Sequence, residues 1–195
     1  LLNGGSGYLG FQMGINFDTL VFRDGGRADF EIDETPRPGE YPLVYVERVA
    51  RAKSEHGQKI VNERKLPQRP ILSADTTLEF AGEIIGKPVD AADATAILQR
   101  LSGQTHRVLT GVSVTTMGRT EFVLSSSEVR FRVLESDEIR HYVMSGEPMD
   151  KAGAYGIQGR AGIFVEHLAG SYTGVMGLPV CETGELLKRF GFRLL

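Results

Sequence analysis

The clearest alternation of apolar and polar positions lies between residues 71 and 88, ILSADTTLEFAGEIIGKP. A short apolar run, Ile71-Leu72, leads to Asp75, with hydroxyls directly behind it at Thr76 and Thr77. Leu78 and Phe80 carry the pattern to a turn at Ala81-Gly82, Ile84-Ile85 return, and Gly86-Lys87-Pro88 close the stretch. Alternation on both sides of a glycine-bearing turn predicts a hairpin, which brings Asp75 and Lys87 back towards the same end. An acid and a base so placed can form an exposed ion pair of little energetic consequence, or can hold a metal and a phosphate. This stretch alone leaves both readings open.

Helical spacing flanks the hairpin. Residues 40–57 predict a helix, with Pro42 near its first turn and Gly57 past its end. Its stripe of Leu43, Val46, Ala50 and Lys53 ends in a lysine, which either snorkels out at the rim or is aimed at an anion in a cleft. Residues 90–101 predict a second helix, capped by Asp90, striped by Ala94, Ile97, Leu98 and Leu101, and ended by Gly103. Strands are expected over 17–22, 108–115, 121–125 and 163–168, with another built on Val129, Phe131 and Val133. Ser136 is the expected cap of a short helix that carries Asp137 and Glu138 in its first turn and closes at Gly146. A terminal helix has Pro179 in its first turn, packs Thr183, Leu186, Leu187 and Phe190 inward, and stops at Gly191. Helices interleaved with a run of strands predict an α/β fold with a mixed central sheet, since hairpin-linked strands cannot be purely parallel.

Composition narrows the setting. With 195 residues the chain suits one domain, or one domain with two lobes. A net charge of −3 points to no nucleic-acid polymer and no anionic membrane as partner. No apolar run reaches the roughly eighteen residues of a membrane span, and no basic region followed by an apolar core suggests a signal peptide. Cys181 is the only cysteine, which leaves neither an intrachain disulfide nor a thiolate metal cage. The expected location is cytoplasmic. Gly5-Ser6-Gly7-Tyr8-Leu9-Gly10 matches GxGxxG, but no strand pattern leads into it and no GK[ST] follows, so a nucleotide loop is not expected there. The acidic segment around Glu31, Asp33 and Glu34 reads as a solvated loop.

The remaining chemistry is spread along the chain. His56, His106, His141 and His167 show no metal-ligand spacing, and GxSxG is absent, so neither a histidine metal site nor a serine hydrolase is indicated. Residues 150–159, DKAGAYGIQG, set Lys151, Tyr155 and Gln158 among small residues, a composition that lets a ligand approach the backbone. Carboxylates at Glu34 and Asp75, amines at Lys53, Lys87 and Lys151, and polar groups at Thr76 and Gln158 all sit in or near Gly-bearing stretches. Phosphate-ester hydrolysis uses such a mixture: a magnesium ion takes one or two carboxylates, lysines absorb charge, and a carboxylate activates water.

Several segments carry a more specific signal: ADTT at 74–77, GKP at 86–88, LSGQTHRVLTGV at 101–112, EVRF at 128–131, GEPMDKAGAYGIQG at 146–159 and GSYTGVMGLPVCET at 170–183. Together they resemble the Maf family, named for inhibition of septum formation. The resemblance implies hydrolysis of nucleoside triphosphates to the monophosphate and pyrophosphate with a divalent cation, Mg²⁺ or Mn²⁺. It also implies one elongated, two-lobed α/β domain like that of inosine-triphosphate pyrophosphatases, with a homodimer as the usual assembly. Carried over by position, Asp75 is similar to the general base, Glu34 and Lys53 to acidic and basic cleft residues, and Lys87 to the phosphate-side lysine. Glu34 and Asp75 are the implied metal ligands, and Lys151 falls in the same substrate-binding set. Thr76 and Gln158 match positions tied to base selectivity, and the AGAYGIQG form is similar to the branch preferring dTTP and UTP. An amide at Gln158 can donate to and accept from a pyrimidine edge at once. A departure lies near the start, where GSGYLGFQ stands in place of the family's SxSPRR-like phosphate loop. A catalytically weak nucleotide-binding relative and a purine (ITP/XTP) pyrophosphatase are the competing expectations.

Overall fold

The computed structural model describes residues 32–193, together with the backbone of two short strands, β1 (Thr19–Val21) and β2 (Arg27–Asp29), which pair antiparallel. The Gly-rich segment at 1–14 and residues 17, 18 and 22 of the 17–22 strand expectation lie outside the described residues, while 19–21 form β1.

The hairpin of 71–88 forms as its pattern requires. Strand β3 (Ile71–Phe80) turns through Ala81 (φ 54°) and Gly82 (φ 83°) into β4 (Glu83–Ile85). Two successive positive φ values are the signature of the tight turn whose twist matches flanking strands. Glu79 accepts from the Gly82 amide at 2.7 Å and fixes that turn from the side. Strands β5 (Thr105–Thr116), β6 (Arg119–Phe131) and β7 (Val165–Ala169) complete a five-stranded sheet in the order β4-β3-β5-β6-β7. Every pairing in it is antiparallel, so the α/β class holds while the parallel component expected of a mixed sheet is missing among the described residues. The cause is topological: β4 leaves the hairpin, a helix follows, and the chain re-enters as β5 running against β3.

The predicted strands over 121–125 and around Val129 are one continuous strand, β6. Ser125 and Ser127 are buried, and their hydroxyls bond Glu182 and the Ser171 backbone, so polar residues occupy inward positions that the sequence pattern assigned to a break.

Helix α1 (Pro42–Glu63) is longer than expected. Gly57 lies buried inside it rather than past its end, because Gln58 and Val61 continue the packed face beyond the glycine. That face is Val46, Val49, Ala50, Lys53 and Ser54, while Leu43 is exposed. It is seated partly by hydroxyls: Ser73 Oγ donates to Ala50 O at 2.7 Å, and Ser54 Oγ lies 2.9 Å from Ser113 Oγ.

Helix α2 (Ala91–Leu101) is capped as predicted, with Asp90 accepting from the Asp93 amide at 2.8 Å. Helix α3 (Ser136–Met144) is capped not by Ser136, its first residue, but by Glu135, whose amide donates to the Glu138 carboxylate at 3.0 Å. The Gly-rich turn expected at 171–177 contains a short helix, α4 (Tyr172–Val175), capped by Ser171. The last helix is α5 (Val180–Arg189), with Pro179 at its cap and Thr183, Leu186 and Leu187 buried. The main core lies between the sheet and α2, α3 and the 150–164 segment, around Leu78, Leu98, Phe131 and Phe164. No described helix is long and apolar enough to cross a membrane.

Candidate active site

The edge of β3 determines where the cleft opens. Strand β5 covers one edge of β3 from Ile71 to Glu79, whereas β4 covers the other only at Leu78, Glu79 and Phe80. Upstream of Leu78 that outer edge has no strand neighbour among the described residues, and a cavity of about 450 Å³ opens over it. Because successive side chains of a strand point to opposite faces, the cleft receives Asp75 from one face and Thr76 from the other.

On the first face, α1 delivers Lys53. The residue is 2 % exposed, so the snorkelling reading is excluded. Its ammonium donates to Asp75 Oδ1 at 3.0 Å and lies 3.1 Å from Glu34 Oε1, so one cation joins two carboxylates from distant parts of the chain. Asp75 is itself 8 % exposed, in mid-strand rather than behind a strand end as the apolar run suggested. A buried carboxylate is costly without a counter-charge, and Lys53 supplies one. Tyr45, one helical stretch before Lys53, lines the same wall. Its phenol is pushed up to about 12, first by burial and then by the negative charges of Asp75 and Glu34.

On the second face, Thr110 Oγ1 donates to the Gly174 carbonyl at 2.7 Å and lies 2.9 Å from Thr76 Oγ1. Since the Thr110 proton is engaged with Gly174, Thr76 is the donor to Thr110, and the Thr76 oxygen keeps acceptor capacity towards the cleft. Val175, Met176 and Gly177 line the cavity beside it.

The rim is assembled by backbone pairing. Gly86 O accepts from Gly153 N at 3.0 Å, which ties the turn bearing Lys87 to the loop bearing Lys151. Gly153 adopts φ 72°, and a Cβ there would meet Leu78 Cδ1 at 2.3 Å, so the approach of loop to sheet depends on a missing side chain. Lys151 Nζ donates to Asp150 Oδ1 at 2.6 Å and to the Glu147 carbonyl at 3.0 Å, and it lies across Gly156. Glu34, Lys53, Asp75, Thr76, Lys87, Lys151 and Gln158 all line the one cavity. Residues from α1, β3, the 86–88 turn, the 150–158 loop and the 32–40 segment thus meet at a single place.

A family comparison meets this geometry directly: the profile of the Maf-like proteins matches residues 12–190. The chain belongs to the Maf-like protein family. Three curated relatives of this Maf-like chain are each described as a dTTP/UTP pyrophosphatase. The protein from Dechloromonas aromatica (strain RCB) is 80 % identical over 182 residues, covering 93 % of this chain and 90 % of the relative. That from Aromatoleum aromaticum is 59 % identical over 184 residues, covering 94 % and 89 %. That from Chromobacterium violaceum is 54 % identical over 168 residues, covering 86 % and 85 %.

Sequence reasoning about this Maf-like chain missed two contributors to the cleft. Tyr45 is one, hidden because an aromatic on a helix reads as core. Arg48 is the other: it forms a two-pronged pair with Glu40, at 2.6 and 2.8 Å, and reaches the backbone of the segment that carries Glu34. His106, read as incidental, is core. It is 2 % exposed, its Nε2 lies 2.9 Å from the Tyr155 hydroxyl, and its ring sits edge-on to Phe131 and Tyr155.

Proposed function

We propose that this chain is a nucleoside triphosphate diphosphatase that hydrolyses dTTP, UTP or related pyrimidine nucleotides to the monophosphate and pyrophosphate. The observation that carries the reading is the meeting of Glu34, Lys53, Asp75 and Lys87 with Thr76 and Gln158 around one cleft, in a chain similar to dTTP/UTP pyrophosphatases. The polyphosphate lies along the Asp75 face and rim, where Lys53, Lys87 and Lys151 offset its charge. Asp75 accepts the proton of the attacking water as general base. Its carboxylate is held by Lys53 rather than by solvent, which fixes the direction in which that water is oriented. The base lies towards Thr76 and Gln158. Uracil and thymine present an N–H between two carbonyls; an acceptor at Thr76 suits the N–H, and the Gln158 amide supplies donors to a carbonyl. Cytosine presents a bare ring nitrogen there and leaves that acceptor unmatched.

The donor set also suits a hard divalent cation. Glu34 and Asp75 place carboxylate oxygens around the same point, both about 3 Å from Lys53 Nζ. No group of three or more potential ligands comes together among the described residues. A magnesium-type ion is commonly held by one or two carboxylates and completes its shell with substrate oxygens and water. Glu34 and Asp75 are the residues that would hold it, and its chemistry when bound is neutralisation of phosphate charge. A cytoplasmic setting, expected from the composition, and a homodimer, implied by the family resemblance, belong to the same reading.

The test is pyrophosphate release from a panel of triphosphates, with the monophosphate identified as co-product. Turnover of dTTP and UTP above CTP, ATP, GTP and ITP is expected. Faster turnover of ITP assigns the purine alternative, and binding without turnover assigns the regulatory one.

A further inference from the structure

We propose that Arg48 is a positioning residue that holds Glu34 in the cleft, an inference that rests on the reading of Glu34 as part of the active site. Glu34 sits in an irregular segment, and no strand or helix fixes its backbone. Arg48 does so from α1. Its Nη1 donates to the Asp33 carbonyl at 3.1 Å and its Nη2 to the Thr35 carbonyl at 3.1 Å, so the residues on either side of Glu34 are both held by one guanidinium. The same guanidinium grips Glu40 through Nε and Nη2, and Glu40 Oε2 also accepts from the Arg37 amide at 2.9 Å. The Arg48 plane lies over the Tyr45 ring, with Cζ 5.5 Å from its centroid, and Tyr45 forms part of the cleft wall. The anchor is largely shielded, with the side chains of Arg48 and Glu40 18 % and 5 % exposed.

One planar fork therefore sets the far wall of the cleft, from Tyr45 to Glu34, relative to Lys53 on the same helix. Arginine is suited to this because its donors diverge in a rigid plane; a lysine offers its donors from one point and cannot span a carboxylate and two carbonyls. Removing the fork leaves Glu34 with its chemistry intact but its position averaged.

The test is a double-mutant cycle with Glu34→Gln and Arg48→Met in the full chain, read as kcat/KM for dTTP. Arg48→Met alone is expected to cost about ten- to a hundredfold, the usual range for loss of a group that orients a ligand. In the Glu34→Gln background it is expected to cost less than about twofold, because a residue that acts through Glu34 has nothing left to position. Equal penalties in both backgrounds overturn the inference and leave the function standing. Full turnover by Glu34→Gln overturns the reading of Glu34 and this inference with it. Amide exchange over residues 33–40 gives a readout independent of activity: it is expected to accelerate in Arg48→Met while α2 and β5 keep their protection, and unchanged exchange overturns the inference. Should Arg48→Met fold poorly, Glu40→Gln loosens the same clamp from its other side and is expected to shift exchange and kcat/KM in the same directions. Arg48→Lys is expected to rescue neither.

Discussion

Acidification tests the account of the core beneath the cleft through His106. The residue is the second of β5, opposite Val129, with one ring nitrogen near the Tyr155 hydroxyl and the other, Nδ1, buried with no hydrogen-bond partner among the described residues. Protonation would require both nitrogens to donate, and Nδ1 has no acceptor to receive its bond. Burial accordingly pushes the imidazole down from its ordinary 6.5 to about 4. The sign follows from proton linkage: between those values the unfolded chain binds the proton and the folded one does not, so stability is fully present above pH 6.5 and is lost as pH falls towards 4. A displacement from 6.5 to about 4 corresponds at most to about 3 kcal/mol at ~1.4 kcal/mol per unit. For a chain of this size that is roughly 6–12 °C of Tm. The assay is thermal unfolding of wild type and His106→Leu across pH 4–8, compared as a difference. The variant loses the Tyr155 hydrogen bond, about 1 kcal/mol, and starts lower at pH 8. Its curve is then expected to be flatter, so that the gap closes below pH 6. All other residues are common to both proteins, so their contributions cancel in the difference. Parallel curves over the whole range would refute the buried-neutral assignment.

Two glycines of the cleft loop separate folding from binding. Gly153→Ala places a Cβ at positive φ against Leu78 and is expected to cost about 2 kcal/mol or more of stability, measured by chemical unfolding. Gly156→Ala crowds the flexible Lys151 stem, at 2.8 Å to Cε, and touches Gln158 Oε1 at 3.6 Å, and is expected to raise KM for dTTP several-fold with little change in Tm. Gln158→Ala is expected to reduce the preference for UTP and dTTP over CTP by about tenfold, read from kcat/KM ratios; an unchanged ratio removes Gln158 from base recognition.

Much of this molecule could be read from its chain because local signals and tertiary packing agree. The Ala81-Gly82 turn, the Asp90 cap and the stripe of α2 each specify a conformation that packing has no reason to override. The failures share a different cause. Gly57 lies inside α1 because Gln58 and Val61 behind it are buried against the rest of the fold, a force invisible to local propensity. The serines of β6 point inward because Glu182 and Ser171 satisfy them, partners more than forty residues away. Lys53 could not be settled from a helical wheel, since its burial depends on carboxylates at 34 and 75 that only the fold brings together. The hairpin pattern singled out Asp75 and Lys87 and the small-residue stretch singled out Gln158, while the roles assigned to them come from the family resemblance. Arg48 was not legible at all, because an arginine on the polar side of a helix looks like any solvated charge until its four hydrogen bonds are seen.

The most direct test is pyrophosphate release from dTTP by Asp75→Asn beside wild type, with unfolding midpoints measured on both. The substitution keeps the shape of the side chain and removes its basicity. The expected result is a folded protein whose kcat falls by about 10²–10⁴-fold, the contribution of a positioned general base. A folded Asp75→Asn protein that releases pyrophosphate at the wild-type rate would contradict the account.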